Sequence, residues 1–163
     1  LRDGDLLKID AGLIHKDYYS DMARSYSVGE SEENEELIST AEYVCETVTT
    51  ELGRHGVTLG TLGHAIQEYA ENKGFSVVRD YVGHGIGKKL HEEPQVPNFG
   101  AEGSGMKLQK GMIICVEPMV NKGTFEVFTK LDGWTVATKD RKKSAHWENM
   151  FLIGSKRGEK LTQ

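Results

Sequence analysis

Six side chains in this sequence have the types and the spacing to work together: Asp10, Asp21, His84, His91, Glu117 and Glu148. Four carboxylates and an imidazole suit hard or borderline divalent ions such as Mn, Fe, Co or Zn, and they argue against thiolate chemistry. The charge balance favours two ions. Four carboxylates bring four negative charges, which two dications match and one leaves strongly in excess. Paired ions roughly 3.5–4 Å apart can bridge a water, lower its pKa and hold a substrate carbonyl. The expected ligands are Asp10, Asp21, His84, Glu117 and Glu148. His91 is not needed as a ligand and is available to donate a hydrogen bond to a developing oxyanion.

These residues must be carried by particular elements. The segment Tyr81 to Pro94 sets His84 between Gly83 and Gly85, adds Gly87, and reaches His91 seven residues after His84. Glycine there permits positive φ and a close backbone approach to a bound ion or substrate. Residues 5–13 and 18–28 read as two strands joined by a turn at His15-Lys16-Asp17. A turn centred between His15 and Lys16 places Asp10 directly opposite Asp21. Like charges in that position destabilise a sheet unless a cation lies between them. The apolar run Leu6, Leu7, Ile9 leading into Asp10 predicts a buried strand.

Residues 31–54 carry apolar side chains at helical spacing, with glutamates crowding the first turns, where the helix dipole favours them. A second helix is expected from an N-cap at Thr58 to Gly74. An apolar strand over residues 112–116 ends in Glu117-Pro118, a polar or turn-rich excursion follows through Asp132-Gly133-Trp134, and residues 145–153 form a last strand carrying Glu148. Cys115 shares a face with Glu117 but reads as a structural thiol.

An internal repeat underlies this layout. Leu1, Gly4 and Asp10 recur at one constant offset as Leu108, Gly111 and Glu117, with mainly aliphatic residues between glycine and acid. Two similar halves related by a pseudo-two-fold, their acids converging between them, are the expectation.

Composition sets the outer bounds. The 163 residues amount to a single domain with room for a real core. The net charge of −5, with both signs interspersed, gives no basic footprint for nucleic acid. No apolar run approaches the roughly 18 residues of a membrane span. Two cysteines, Cys45 and Cys115, are too few for a disulfide framework, and a reducing cytoplasmic setting is expected.

Taken in order, Lys8-Ile9-Asp10, Ser20-Asp21, Tyr81-Val82-Gly83-His84-Gly85-Ile86-Gly87, Leu90-His91-Glu92-Glu93-Pro94-Gln95-Val96, Val116-Glu117-Pro118-Met119, Asp132-Gly133-Trp134 and Glu148 resemble type I methionine aminopeptidase over essentially the whole chain. The resemblance implies an α+β pita-bread (creatinase/aminopeptidase-like) fold and a dinuclear site on Asp10, Asp21, His84, Glu117 and Glu148 for Co, Mn, Fe or Zn. It implies removal of the initiator methionine from nascent chains, with water or hydroxide between the ions as nucleophile. His91 and Glu117 would be catalytic, and His91, Trp134, Leu90 and Val82 would contact or border the substrate. Nascent polypeptides would be the partners, with ribosome association left open.

Three positions depart from the family pattern. Val82 stands where Cys is frequent, Leu90 where Phe is, and Asn149 where His is, which leaves pocket detail and metal preference open. The family places two helices before the strand that begins here near Leu1, and the repeat makes the same demand. The chain is therefore expected to be the C-terminal portion of a catalytic domain. Two rivals stand beside this expectation: a pita-bread peptidase cutting next to proline, and a non-enzymatic pita-bread binding module.

Overall fold

A computed structural model describes residues 1–163 throughout. The chain opens with a long antiparallel hairpin, β1 (Leu6–His15) and β2 (Tyr18–Ser27). Its turn lies one position later than expected. Lys16 and Asp17 both adopt positive φ, 49° and 65°, the two-residue geometry whose twist fits the flanking strands. Asp10 consequently pairs with Ala23, and Asp21 with Gly12. This register is shifted by two residues, which preserves side-chain parity. Asp10 and Asp21 thus remain on one face, as diagonal neighbours rather than direct partners. The burial expectation for β1 also needs correction, because Ile9 is 49% and Leu13 62% exposed.

Helix α1 (Glu32–Tyr43) starts where the Ser31 hydroxyl accepts the backbone N–H of Asn34. The helix expected over residues 31–54 runs without interruption to Leu52 and contains a change of winding. A π-helical turn, Val44–Val48, follows α1, and a short α2 (Thr49–Leu52) follows that turn. Helix α3 (Leu59–Asn72) is capped by Thr58, whose hydroxyl accepts from the Thr61 N–H. Gly60 and Gly63 let the segment 97–105 press against it, since a Cβ at either would collide with that backbone.

Ten short strands follow: β3 (Ser76–Val77), β4 (Gly83–Gly85), β5 (Glu92–Val96), β6 (Ile113–Val116), β7 (Met119–Asn121), β8 (Val127–Thr129), β9 (Val136–Thr138), β10 (Ser144–His146), β11 (Asn149–Leu152) and β12 (Glu159–Lys160). They form a five-stranded sheet, β12-β11-β6-β4-β5, a three-stranded sheet, β10-β7-β3, and the β8–β9 hairpin. The main core joins Leu37, Val44, Leu62 and Ile66 of the helical layer to Ile114, Val116, Val120 and Phe151 of the two sheets. The expected turn-rich excursion contains β7 and runs into the β8–β9 hairpin, and β12 adds an edge strand to β11.

The strand expected over residues 145–153 is two strands in different sheets, with Trp147 and Glu148 at the crossing. Glu117 and Pro118 occupy the equivalent crossing between β6 and β7. Strands that switch sheets bend there, so each bend takes a glutamate out of the ladder and aims it between the sheets.

The repeat is visible in the backbone. Gly4 and Gly111 both have left-handed φ, 84° and 91°. Gly4 N–H donates to Val28 O and Val28 N–H to Asp5 O; in the second copy, Gly111 N–H donates to Ile153 O and Ile153 N–H to Met112 O. The copies meet where Glu148 N–H donates to Ala23 O at 2.9 Å, and Ala23 N–H returns a bond to Glu148 O at 3.4 Å.

Candidate metal centre

His84 lies in the middle of β4, between β5 and β6. The glycines on either side serve close approach rather than positive φ. A Cβ on Gly83 would collide with Cys115 O, and one on Gly85 with Glu93 O. His84 Nδ1 lies 2.9 Å from the carbonyl of Gly85, so the N–H is at Nδ1 and the Nε2 lone pair is left for other partners. Nε2 faces three acids: Glu117 Oε1 at 3.5 Å, Asp21 Oδ2 at 3.8 Å and Glu148 Oε1 at 3.9 Å.

The acids come from both copies of the repeat. Asp21 projects from β2, where its backbone N–H meets Met150 Sδ at 3.4 Å. Asp10 lies on the more open strand β1, and its carboxyl interacts with those of Asp21 and Glu148. Ligand atoms of Asp21, His84, Cys115 and Glu148 all fall within 4.8 Å of one another. Burial pushes the Cys115 thiol up, and the neighbouring carboxylates add to the shift, so it stays protonated and structural.

Electrostatics mark the cluster as incomplete by itself. Burial, reinforced by Glu117, Asp21 and Asp10, pushes the Glu148 carboxyl up to about 9. Burial also raises Asp21, opposed by His84, and raises Asp10, opposed first by His146. Glu148 is 2% exposed, and its Oε1 has no hydrogen-bond partner. Buried polar atoms are rarely left unpaired. A divalent ion among these oxygens and His84 Nε2 would satisfy Glu148 and remove the repulsion, so the residues present fit a metal.

An open cleft of about 1400 Å³ lies above the cluster, and Asp10, His84, His91, Val82, Glu117 and Trp134 contribute to its wall. The His91 ring meets that of His84 edge to face, centroids 4.4 Å apart. Trp134 stands on the β8–β9 hairpin and is 88% exposed. Leu90 is not part of that wall and packs against the small cluster of Ile86, Cys115 and Met150.

Asn149 faces away from the cleft. Its amide donates to Glu46 Oε1, and its Oδ1 accepts from Arg24 and Thr162. Glu46, on the π-helical turn, also accepts from Trp147 Nε1 and Lys160 Nζ. These bonds clasp the backbone on either side of Glu148 from behind.

One residue at the centre was missed from the sequence. His146 borders the cleft, and its Nε2 lies 3.6 Å from Glu117 Oε2. The usable signal was alternation, because His146 precedes Glu148 by two positions. The sheet switch at residues 147–148 spoils simple strand periodicity there.

Residues 1–155 match the family described as metallopeptidase family M24. The chain belongs to metallopeptidase family M24. Among M24 relatives, it is 49% identical over 156 residues to a methionine aminopeptidase of Clostridium perfringens, covering 94% of this chain and 61% of that protein. The solved methionine aminopeptidase of Thermotoga maritima superposes with a TM-score of 0.95 at 43% identity, over 99% of this chain and 65% of that one. Prolidase of Pyrococcus horikoshii, 22% identical, superposes with a TM-score of 0.76 over all of this chain and 41% of its own, a likeness of fold alone. This M24 chain thus has the α+β pita-bread fold with its pseudo-two-fold repeat. It spans about three-fifths of the length of the curated relatives it matches. No helix is long and apolar enough to cross a membrane.

Proposed function

We propose that this chain carries the hydrolytic centre of a methionine aminopeptidase, which removes the initiator methionine from nascent polypeptides in the cytoplasm. The observation that carries the reading is the convergence of Asp10, Asp21, Glu117 and Glu148 on His84 beneath a cleft, with Glu148 Oε1 buried and unpartnered. In this reading those five residues hold two divalent ions among Co, Mn, Fe and Zn. When bound, such a pair polarises a carbonyl and brings the pKa of water toward neutrality. Glu117, with its two oxygens turned toward different imidazoles, is assigned to the reacting centre as well as to metal binding. His91, against the His84 ring, donates a hydrogen bond to the substrate oxygen as negative charge develops. Val82 and Trp134 on the cleft wall, with Leu90 packed against Ile86, Cys115 and Met150, shape the site for the methionine side chain. Residues 1–163 form one catalytic domain.

Identity near 45% to methionine aminopeptidases, against 22% to a prolidase, favours methionine over proline specificity. The test is metal analysis together with turnover of Met-Ala-x and x-Pro peptides. The expected result is two ions and cleavage of Met-Ala-x alone. A protein that binds no divalent ion, or that cleaves only x-Pro, refutes the reading. His91→Ala is expected to keep both ions and lose about 10²–10³ in kcat. Loss of an ion instead would make His91 a ligand.

A further inference from the structure

The five-residue cluster leaves one buried group unexplained. His146 ends β10, is 8% exposed, and its Nε2 has no hydrogen-bond partner. Its backbone is held on both sides by one hydroxyl. Ser25 Oγ accepts the His146 N–H at 2.8 Å and donates to His146 O at 2.9 Å. Pairing of β10 with β7 sets His146 opposite Met119, two residues past Glu117. From there Nε2 reaches to 3.6 Å from Glu117 Oε2, while Glu117 Oε1 lies 3.5 Å from His84 Nε2. Glu117 is thus flanked by two imidazoles, one facing each oxygen.

The two imidazoles differ. The Gly85 carbonyl fixes the His84 proton on Nδ1 and frees Nε2 as a lone-pair donor. Glu117 Oε2 is the one carboxylate oxygen within 4 Å of His146 Nε2, with the Asp10 carboxyl farther off. An N–H at that atom favours the contact, whereas a lone pair would repel the oxygen. Carboxylates that bind metals are commonly held by such outer hydrogen bonds, which fix which oxygen faces the ion.

We propose that His146 is a positioning residue of the metal centre, its Nε2–H donating to Glu117 Oε2 so that Oε1 is the oxygen offered to the ion at His84. The inference rests on the metal-centre reading above. It assigns a role to a cleft-lining residue outside the proposed ligand set. Ser25 belongs to the same device, because it sets the backbone from which the imidazole projects.

The test compares His146→Gln with His146→Leu, which have similar volumes although only glutamine can donate. Each protein is titrated with Co(II) and followed by calorimetry and visible d–d absorption. Leucine is expected to weaken the tighter site about 10–100-fold and alter its spectrum, and glutamine to restore both to within a few-fold. Ser25→Ala should shift the spectrum in the same direction by less, which keeps the test open if the leucine variant folds poorly. Unchanged affinity and spectrum in His146→Leu overturn the proposal. Equal impairment by glutamine and leucine overturns it too, since that marks a ligand or a purely structural side chain. If the unaltered protein binds no Co(II), the metal-centre reading falls and this inference falls with it, an outcome distinct from the other two.

Discussion

The two copies of the glycine–strand–acid motif have the same backbone and opposite surroundings. Gly4 and Gly111 turn alike, and each first strand is closed by the same pair of main-chain bonds to a later one. Yet β6 is almost wholly buried, while β1 runs largely exposed. Ile9, half exposed, is the repeat counterpart of Val116, which is fully buried. Local sequence therefore dictates the turn, the strand and the placement of the acid. Burial depends on what packs over the strand, and an aliphatic run alone does not report it. The electrostatics follow the same division. Glu148, on the covered side, is displaced furthest, whereas Asp10 on the open side is moderated by the nearby histidines.

The largest expected effect tests whether the open copy matters as much as the covered one. Asp10→Asn and Glu117→Gln occupy equivalent places, and each should lose at least one ion and lower turnover by orders of magnitude. Metal stoichiometry and kcat measured side by side decide this. Near-normal values for Asp10→Asn alone would remove the open copy from the centre, and near-normal values for both would sink the five-ligand set.

Stability should separate the copies in the other direction. Ile114→Ala, in the main core, is expected to cost about 2–5 kcal/mol. Ile9→Ala, on the exposed strand, should stay within about 0.5 kcal/mol. Urea unfolding at fixed metal concentration measures both. Similar costs would mean that the open face is covered in solution.

The smallest effect is in pH. Glu148 has a folded-state pKa near 9, above that of an ordinary carboxyl, and Asp10 and Asp21 are shifted the same way. The folded protein therefore keeps protons that the unfolded chain has released. Without metal, this contribution to stability is complete below the ordinary carboxyl range and is lost as pH rises toward 9. Melting temperature should fall between pH 5 and pH 8 in chelator, and divalent metal should abolish or reverse the trend. A metal-free melting temperature that climbs over that interval would contradict the raised carboxyl groups.

Much of this was legible from residues alone. The repeat, the Thr58 helix cap, the apolar faces of α1 and α3, and the set of acids around His84 follow from residue types and spacing. The hairpin register did not, because Lys16 and Asp17 adopt left-handed φ without the Asn-Gly or Asp-Gly signal that marks such turns. The shared face of Asp10 and Asp21 survived only because the error was an even number of residues. The π-helical turn was hidden as well, since an added residue in one turn leaves the apolar stripe nearly intact. His146 was hidden by the sheet switch beside Glu148, where strand alternation stops being a guide.

The network behind Asn149 has a consequence for the end of the chain. Lys160 and Thr162 hold Glu46 and Asn149, and Asn149 is the residue next to Glu148. Residues 160 and 162 thus brace the rear of the acid cluster, although they lie outside the family match. Clipping the chain after Gly158 would leave Glu46 without its ammonium partner and Asn149 Oδ1 without one of its two donors. The slack would be felt first at the backbone that aims Glu148, so proteolysis at this remote tip would register as loosened metal retention before any loss of fold.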